Sequence, residues 1–214
     1  RRYTAPRPPL EPAVLGEDLV RLRRIPGLCG GRRVLADPDH VPQLTSFDVL
    51  TVRLYRLGLG VVPVGLAVLA AEQATVTDSP LGWGLVWLGV QLAVADIHLY
   101  DSRFRWVFTV LAQLGSLFGL LGAVLQVPLL WWAGLGFLFA THSGIGLKER
   151  LCFKVTGMRV QPAVLAASLV PLVAGWGLAA AGLLGLGALI AANLARVKGM
   201  QPLHYDIGDK SKYR

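Results

Sequence analysis

SFDVLTVRLYRLGLGVVPVGLAVLAAEQATVTDSPLGWGLVWLGVQLAVADIHLY, residues 46–100, holds two long apolar runs joined by a connector with acidic and hydroxyl groups but no Lys or Arg. The same alternation continues through the rest of the chain. Lys and Arg fall within residues 1–56, 103–105, 148–159 and 196–214, whereas the connectors near 72–80, 126–128 and 180–182 hold none. Basic residues confined to alternate connectors are the positive-inside signature of a multi-span membrane protein. The pattern predicts an all-α membrane protein with six transmembrane helices, an extended Pro-rich N-terminal arm, and both termini on the positive (stromal or cytoplasmic) side.

Composition agrees with that class. The chain has 214 residues, 54% hydrophobic and 16% charged, with a mean hydropathy of +0.54. A soluble domain carries about a quarter charged residues. The net charge of +8 does not indicate a nucleic-acid binder, because the Arg residues lie in loops beside apolar runs, where membrane topology already accounts for them. Cys29 and Cys152 both fall on the positive, reducing side and match no zinc spacing, so no structural disulfide is expected. The start at Arg-Arg-Tyr, rather than Met, fits a chain that has lost a leader or has been trimmed.

The chain divides into three regions. Residues 1–46 form a Pro/Arg-rich surface arm, broken by Pro6, Pro8, Pro9, Pro12, Pro26, Pro38 and Pro42, with a short helix over 12–24. Residues 47–197 form the six-helix domain and residues 198–214 a polar surface tail. The first span starts near Ser46 to Asp48, contains Pro63 and ends near Ala71, with Arg53 and Arg56 at headgroup depth. The second covers 81–100, with Trp83, Trp87 and Tyr100 suited to interfaces. The third covers 106–126 and the fourth 128–147, followed by a basic connector over 148–159. Residues 162–197 are too long for one span of about 20 residues. A split at 180–182 returns the tail to the positive side.

Small residues recur every four positions at Gly115, Gly119 and Ala123, at Gly136, Ala140 and Gly144, and at Gly187, Ala191 and Ala195. Such stripes let helix backbones approach closely, here chiefly within the bundle. Gln91, Gln113 and Asn193 read as hydrogen-bonding links between helices.

Asp96, His98, His142, Lys148 and Glu149 all lie in the positive half of the bilayer, and an ionisable group there is a functional candidate. Asp96 and Tyr100 share a face if the helix continues, with His98 turned by ~200° from Asp96. His142 lies six residues before Lys148, ~9 Å deeper on a continuous helix. An imidazole in an apolar slot can ligate the metal of a tetrapyrrole, which makes His98 and His142 the candidate cofactor-binding residues. Taken alone, each more readily bonds a neighbouring helix, because interhelical His bonds are ordinary in membranes. No Cys-x-x-Cys, His-Glu-x-x-His, Gly-x-Ser-x-Gly or Walker loop occurs, so the protein is not expected to be an enzyme and no catalytic or metal-site residues are assigned.

Tyr55-Arg56-Leu57-Gly58, Asp96-Ile97-His98-Leu99-Tyr100, Gly144-Ile145-Gly146-Leu147-Lys148-Glu149 with Cys152-Phe153, and the tail Gln201-Pro202 with Asp206-Ile207-Gly208-Asp209-Lys210-Ser211 resemble a family of uncharacterised integral membrane proteins of cyanobacteria, some other bacteria and chloroplasts. The resemblance covers roughly residues 47–211. It leaves the arm uncovered, and His142 stands where the family more often has a small residue. It implies a photosynthetic setting: a thylakoid membrane with the stroma on the positive side, and His98 and His142 as chlorophyll ligands. The expected role is an accessory or structural subunit of a photosystem-type pigment-protein complex, with lipids and other membrane subunits as partners. The alternatives are a small-solute or ion carrier, with Asp96, His98, Lys148 and Glu149 along a polar path, and a transient assembly factor.

Overall fold

The computed structural model describes residues 44–77, 79–97, 102–153 and 155–207. Most of the arm, with its expected helix at 12–24 and Cys29, lies outside these residues. So do His98, Tyr100 and the tail from Gly208 onward. The described residues form helices joined by short turns: α1 (Ser46–Thr75), α2 (Leu81–Ala95), α3 (Ser102–Leu125), α4 (Pro128–Phe153), α5 (Gln161–Ala174), α6 (Gly177–Gly199) and a one-turn α7 (His204–Ile207). Three of them, α1, α3 and α6, are long and apolar enough by themselves to cross a membrane.

Each helix begins or ends for a readable reason, not always the expected one. α1 is capped by Thr45, one residue before the expected start, and Asp48 closes a reciprocal capping box. This satisfies two of the N–H groups that a helix start leaves unpaired. Pro63 lies inside α1 as expected. α2 stops at Ala95, so Asp96 is its C-cap and not a position within the span. α3 begins at Ser102, which places Arg103 and Arg105 on the helix, not in the preceding turn.

The break in the last apolar stretch falls at Gly175 and Trp176, not at 180–182. Gly175 adopts φ +73°, and its N–H closes the end of α5 on the carbonyls of Pro171 and Leu172. A left-handed residue at that position favours glycine, which lacks the Cβ that would clash. Residues 180–182 are instead well inside α6.

Glycine contacts give the register. On the α1–α2 pair, a Cβ at Gly58 would meet Ala93 N and Gly89 O at 2.6 Å, and one at Gly65 would meet Val86 N at 2.5 Å. These helices touch backbone to backbone, antiparallel. Gly115 and Gly119 of α3 fit against Leu138 and Gly134 of α4, and Gly187 of α6 fits against Leu165 of α5. The α3 stripe therefore continues through buried Gly122, whereas Ala123 and Ala140 of the expected stripes face outward. On α6, Gly187 and Ala191 are buried as expected.

Successive helices run antiparallel, and α6 returns to pack along α1. Every described Lys and Arg consequently sits at one end of the bundle. At the other end, the buried carboxylate of Glu72 accepts the Gly82 N–H at 3.0 Å, so it caps α2, whose N-cap offers no side-chain bond. An anion there also complements the positive end of the helix dipole. Beside it, the Trp83 and Trp131 rings stack with centroids 4.6 Å apart.

Candidate functional site

Tyr55 of α1, Glu149 of α4, Lys198 of α6 and Asp206 of α7 meet at the basic end. Helical spacing puts Tyr55 on the buried stripe of α1, together with Leu59, Val62, Leu66 and Leu69. α4 does not end near Leu147 as expected but runs to Phe153, which carries Lys148 and Glu149 on a helix and not in a connector. The physical reason is charge satisfaction: at the bundle end Glu149 finds cations that a surface loop would not supply.

Glu149 is fully buried. Its Oε1 accepts from Tyr55 Oη at 2.7 Å and from Lys148 Nζ at 2.8 Å, and its Oε2 accepts from Lys198 Nζ at 2.6 Å. Lys198, itself 2% exposed, also bridges to Asp206 Oδ1. The Asp206 carboxylate takes Arg56 Nε at 2.7 Å and Nη2 at 2.6 Å on its other oxygen. Arg56 further donates to the carbonyls of Gln201 at 2.7 Å and Pro202 at 3.1 Å. Both ammonium groups stand over the Tyr55 ring, at 5.7 and 5.8 Å from its centroid.

The cluster alternates in sign: Lys148, Glu149, Lys198, Asp206, Arg56. Taking such charges out of water is costly, and only good geometry with further hydrogen bonds offsets it. Here each carboxylate meets two cations, and the leftover capacity of Arg56 goes to backbone carbonyls. Charge-assisted bonds of this length are the strong kind. Their effect is to clasp three helix ends and the chain after α6 together.

Within the described part of the tail, residues 198–207 are therefore not simply laid on the surface. Lys198, Asp206 and Ile207 are buried, and residues 201–206 are held by Arg56. Three of the four stretches that carry the family resemblance supply this cluster: Tyr55-Arg56, Lys148-Glu149, and Gln201-Pro202 with Asp206. Sequence reasoning flagged Lys148 and Glu149 but missed Tyr55, Arg56, Lys198 and Asp206 as their partners.

The other candidates separate from the cluster. Asp96 lies at the same end, level with Tyr55 by the α1–α2 register. His142 is 1% exposed, on the buried face of α4, about 9 Å below Lys148 on a helix that is indeed continuous. Neither of its ring nitrogens has a hydrogen-bond partner among the described residues. A tetrapyrrole on His142 would require helices to part, because the imidazole is enclosed on all sides. Gln91 and Gln113 do link helices: Gln91 Nε2 bonds Ala112 O at 3.1 Å and Ser116 Oγ at 2.7 Å, and Gln113 Nε2 bonds Gln91 Oε1 at 3.2 Å. Asn193 bonds Thr156 O at 3.3 Å, tying α6 to the connector before α5.

No solved structure matches the chain. An uncharacterized protein of Haemophilus influenzae is 32% identical over 185 residues, covering 84% of this chain and 99% of that protein. Residues 92–214 match the family described as uncharacterized integral membrane protein (DUF2301). A helical bundle with its described Lys and Arg at one end, a family match over more than half the chain and a full-length relative agree: the protein is an integral membrane protein of the DUF2301 family.

Proposed function

We propose that the protein is a non-enzymatic accessory subunit of a larger membrane complex, with six spans and both termini on the basic face. Support for six spans comes from the antiparallel order of α1 to α6 and from the placement of all described Lys and Arg at one end. α2 and α5 have only 15 and 14 residues, less than the roughly 20 that cross an undeformed bilayer. Local thinning or sheltered helix ends accommodates that shortfall. Exposed positions test the topology. Val76 and Trp176 are 87% and 64% exposed. As single cysteines they should react with an impermeant thiol reagent only from the face opposite the termini; labelling of either from the basic face overturns six spans.

The observation that carries the subunit reading is Gln113. It sits at the middle of α3 and faces outward. It donates one bond to Gln91, yet its carbonyl oxygen takes none from a described residue. Lipid tails cannot satisfy an amide, whereas a helix from another subunit can. Trp87, 37% exposed, borders the same seam through its bond to Ser116 Oγ at 2.8 Å. A photo-crosslinking residue placed at Gln113 should capture another polypeptide in native membranes, and Gln113→Leu should weaken co-purification of that partner. Adducts with lipid alone would refute the proposal. The enzyme-free reading is supported by the way Tyr55, Lys148, Glu149 and Lys198 are committed to one another.

In a photosynthetic host the partner we propose is a thylakoid pigment-protein complex, with chlorophyll at His98 as the associated ligand. The Haemophilus relative comes from a non-photosynthetic bacterium, which argues that the bundle itself works without pigment.

A further inference from the structure

His142, Gly146 and Glu149 succeed one another on one face of α4 at one-turn intervals. Glu149 belongs to the ion cluster at the basic end. A Cβ at Gly146 would collide with Met158 Cε and meet Gln161 Oε1 at 3.1 Å, so the Met158 methyl and the α5 amide both lie against α4 between Glu149 and His142. Gln161 is 0% exposed. Its Oε1 and Nε2, like Nδ1 and Nε2 of His142, are buried without a hydrogen-bond partner among the described residues. Native interiors rarely leave polar groups in that condition; water or a ligand normally completes them.

His142 is also isolated in kind. Residues 57–71, 81–95, 106–125, 161–174 and 177–195 contain no Asp, Glu, Lys, Arg, His, Tyr or Cys, and His142 is alone in this respect within 128–147. The titratable and charged groups nearest its level all lie toward the basic end. They include Lys148 and Glu149 of α4, Lys198 of α6, Tyr55 and Arg56 of α1, Asp96 at the end of α2, Arg103 and Arg105 of α3, Arg159 before α5, and Asp206. Toward the other end, the same region of α4 presents Leu138, Phe139 and Leu135, all buried.

We propose that His142 is a proton-binding site within the bundle, reached from the basic face through water held by Gln161 and closed toward the opposite face. The balance is simple. A water bonded to the Gln161 amide gives a proton to the unprotonated ring nitrogen and regains one from the solvent at the basic face; no other bond forms. Glu149, about 10 Å away at seven residues along the helix, is the nearest carboxylate on α4, and Lys148 and Lys198 hold its two oxygens. This site is independent of the subunit proposal, which rests on the outer face of α3.

The test uses the full chain labelled with ¹⁵N-histidine in liposomes, its orientation fixed by labelling Val76→Cys, with His142 assigned by the loss of its signal in His142→Gln. The His142 ring resonances should shift when the pH is lowered on the basic face and stay still when it is lowered on the other. Gln161→Leu should abolish that response. A parent protein whose His142 signal ignores pH on both faces, or tracks the opposite face, overturns the proposal, as does an unchanged response in folded Gln161→Leu.

Discussion

Replacing Lys198 with Met is expected to destabilise the bundle by about 3–5 kcal/mol, the usual cost of removing one partner from a buried ion pair. The Lys198 ammonium bridges Glu149 and Asp206. Without it two buried carboxylates face each other, each left with one cation, Lys148 or Arg56. Reversible unfolding in detergent, monitored by helical content, measures the change. Adding Glu149→Gln to the variant should recover part of the loss, because one of the opposed charges is gone and the two sites share a network. A loss below about 1 kcal/mol in the single variant, which is what an exposed pair gives, would show that the clasp contributes little.

Gly65→Ala is the second large effect. The added Cβ would sit 2.5 Å from Val86 N and 2.9 Å from Leu85 C, both backbone atoms that cannot rotate aside. Helices α1 and α2 must separate along their whole contact, so the cost should reach or exceed the roughly 1–3 kcal/mol of ordinary overpacking. Gly60, on the same helix, has nothing within 4 Å of its Cβ position. Gly60→Ala should therefore cause no loss, since alanine is the better helix former. Equal behaviour of the two variants in the same unfolding assay would contradict the backbone contact.

The candidate site was half legible. Lys148 and Glu149 stand out in sequence as charges beside an apolar run, and depth counting placed His142 correctly because a helix rises evenly. Their partners were not legible. Tyr55 is 94 positions from Glu149 and Asp206 is 150 positions from Arg56, and no local pattern encodes such pairings. Lys198 looked like the first residue of a polar tail, yet it ends a helix whose buried face runs through Ala180, Leu184, Gly187, Ala191 and Leu194. The glycines of α1 and α2 were missed as packing positions because they repeat every seven residues, at 58 and 65 and at 82 and 89, not every four.

The amino-acid sequence by itself determined the helical membrane class, the approximate positions of six apolar helices and the gathering of Lys and Arg at one end. Hydropathy, helix caps and the sign of connector charges are local properties, written along the chain. Only the tertiary structure decided where α4 and α6 truly end, which glycines meet backbone, and that residues 198–206 are clasped into the bundle. Those outcomes depend on whether a buried charge finds its counter-charge on a distant helix, and a carboxylate such as Glu149 is tolerable inside the bundle only once the packing of α1, α4 and α6 has brought that counter-charge within hydrogen-bonding reach.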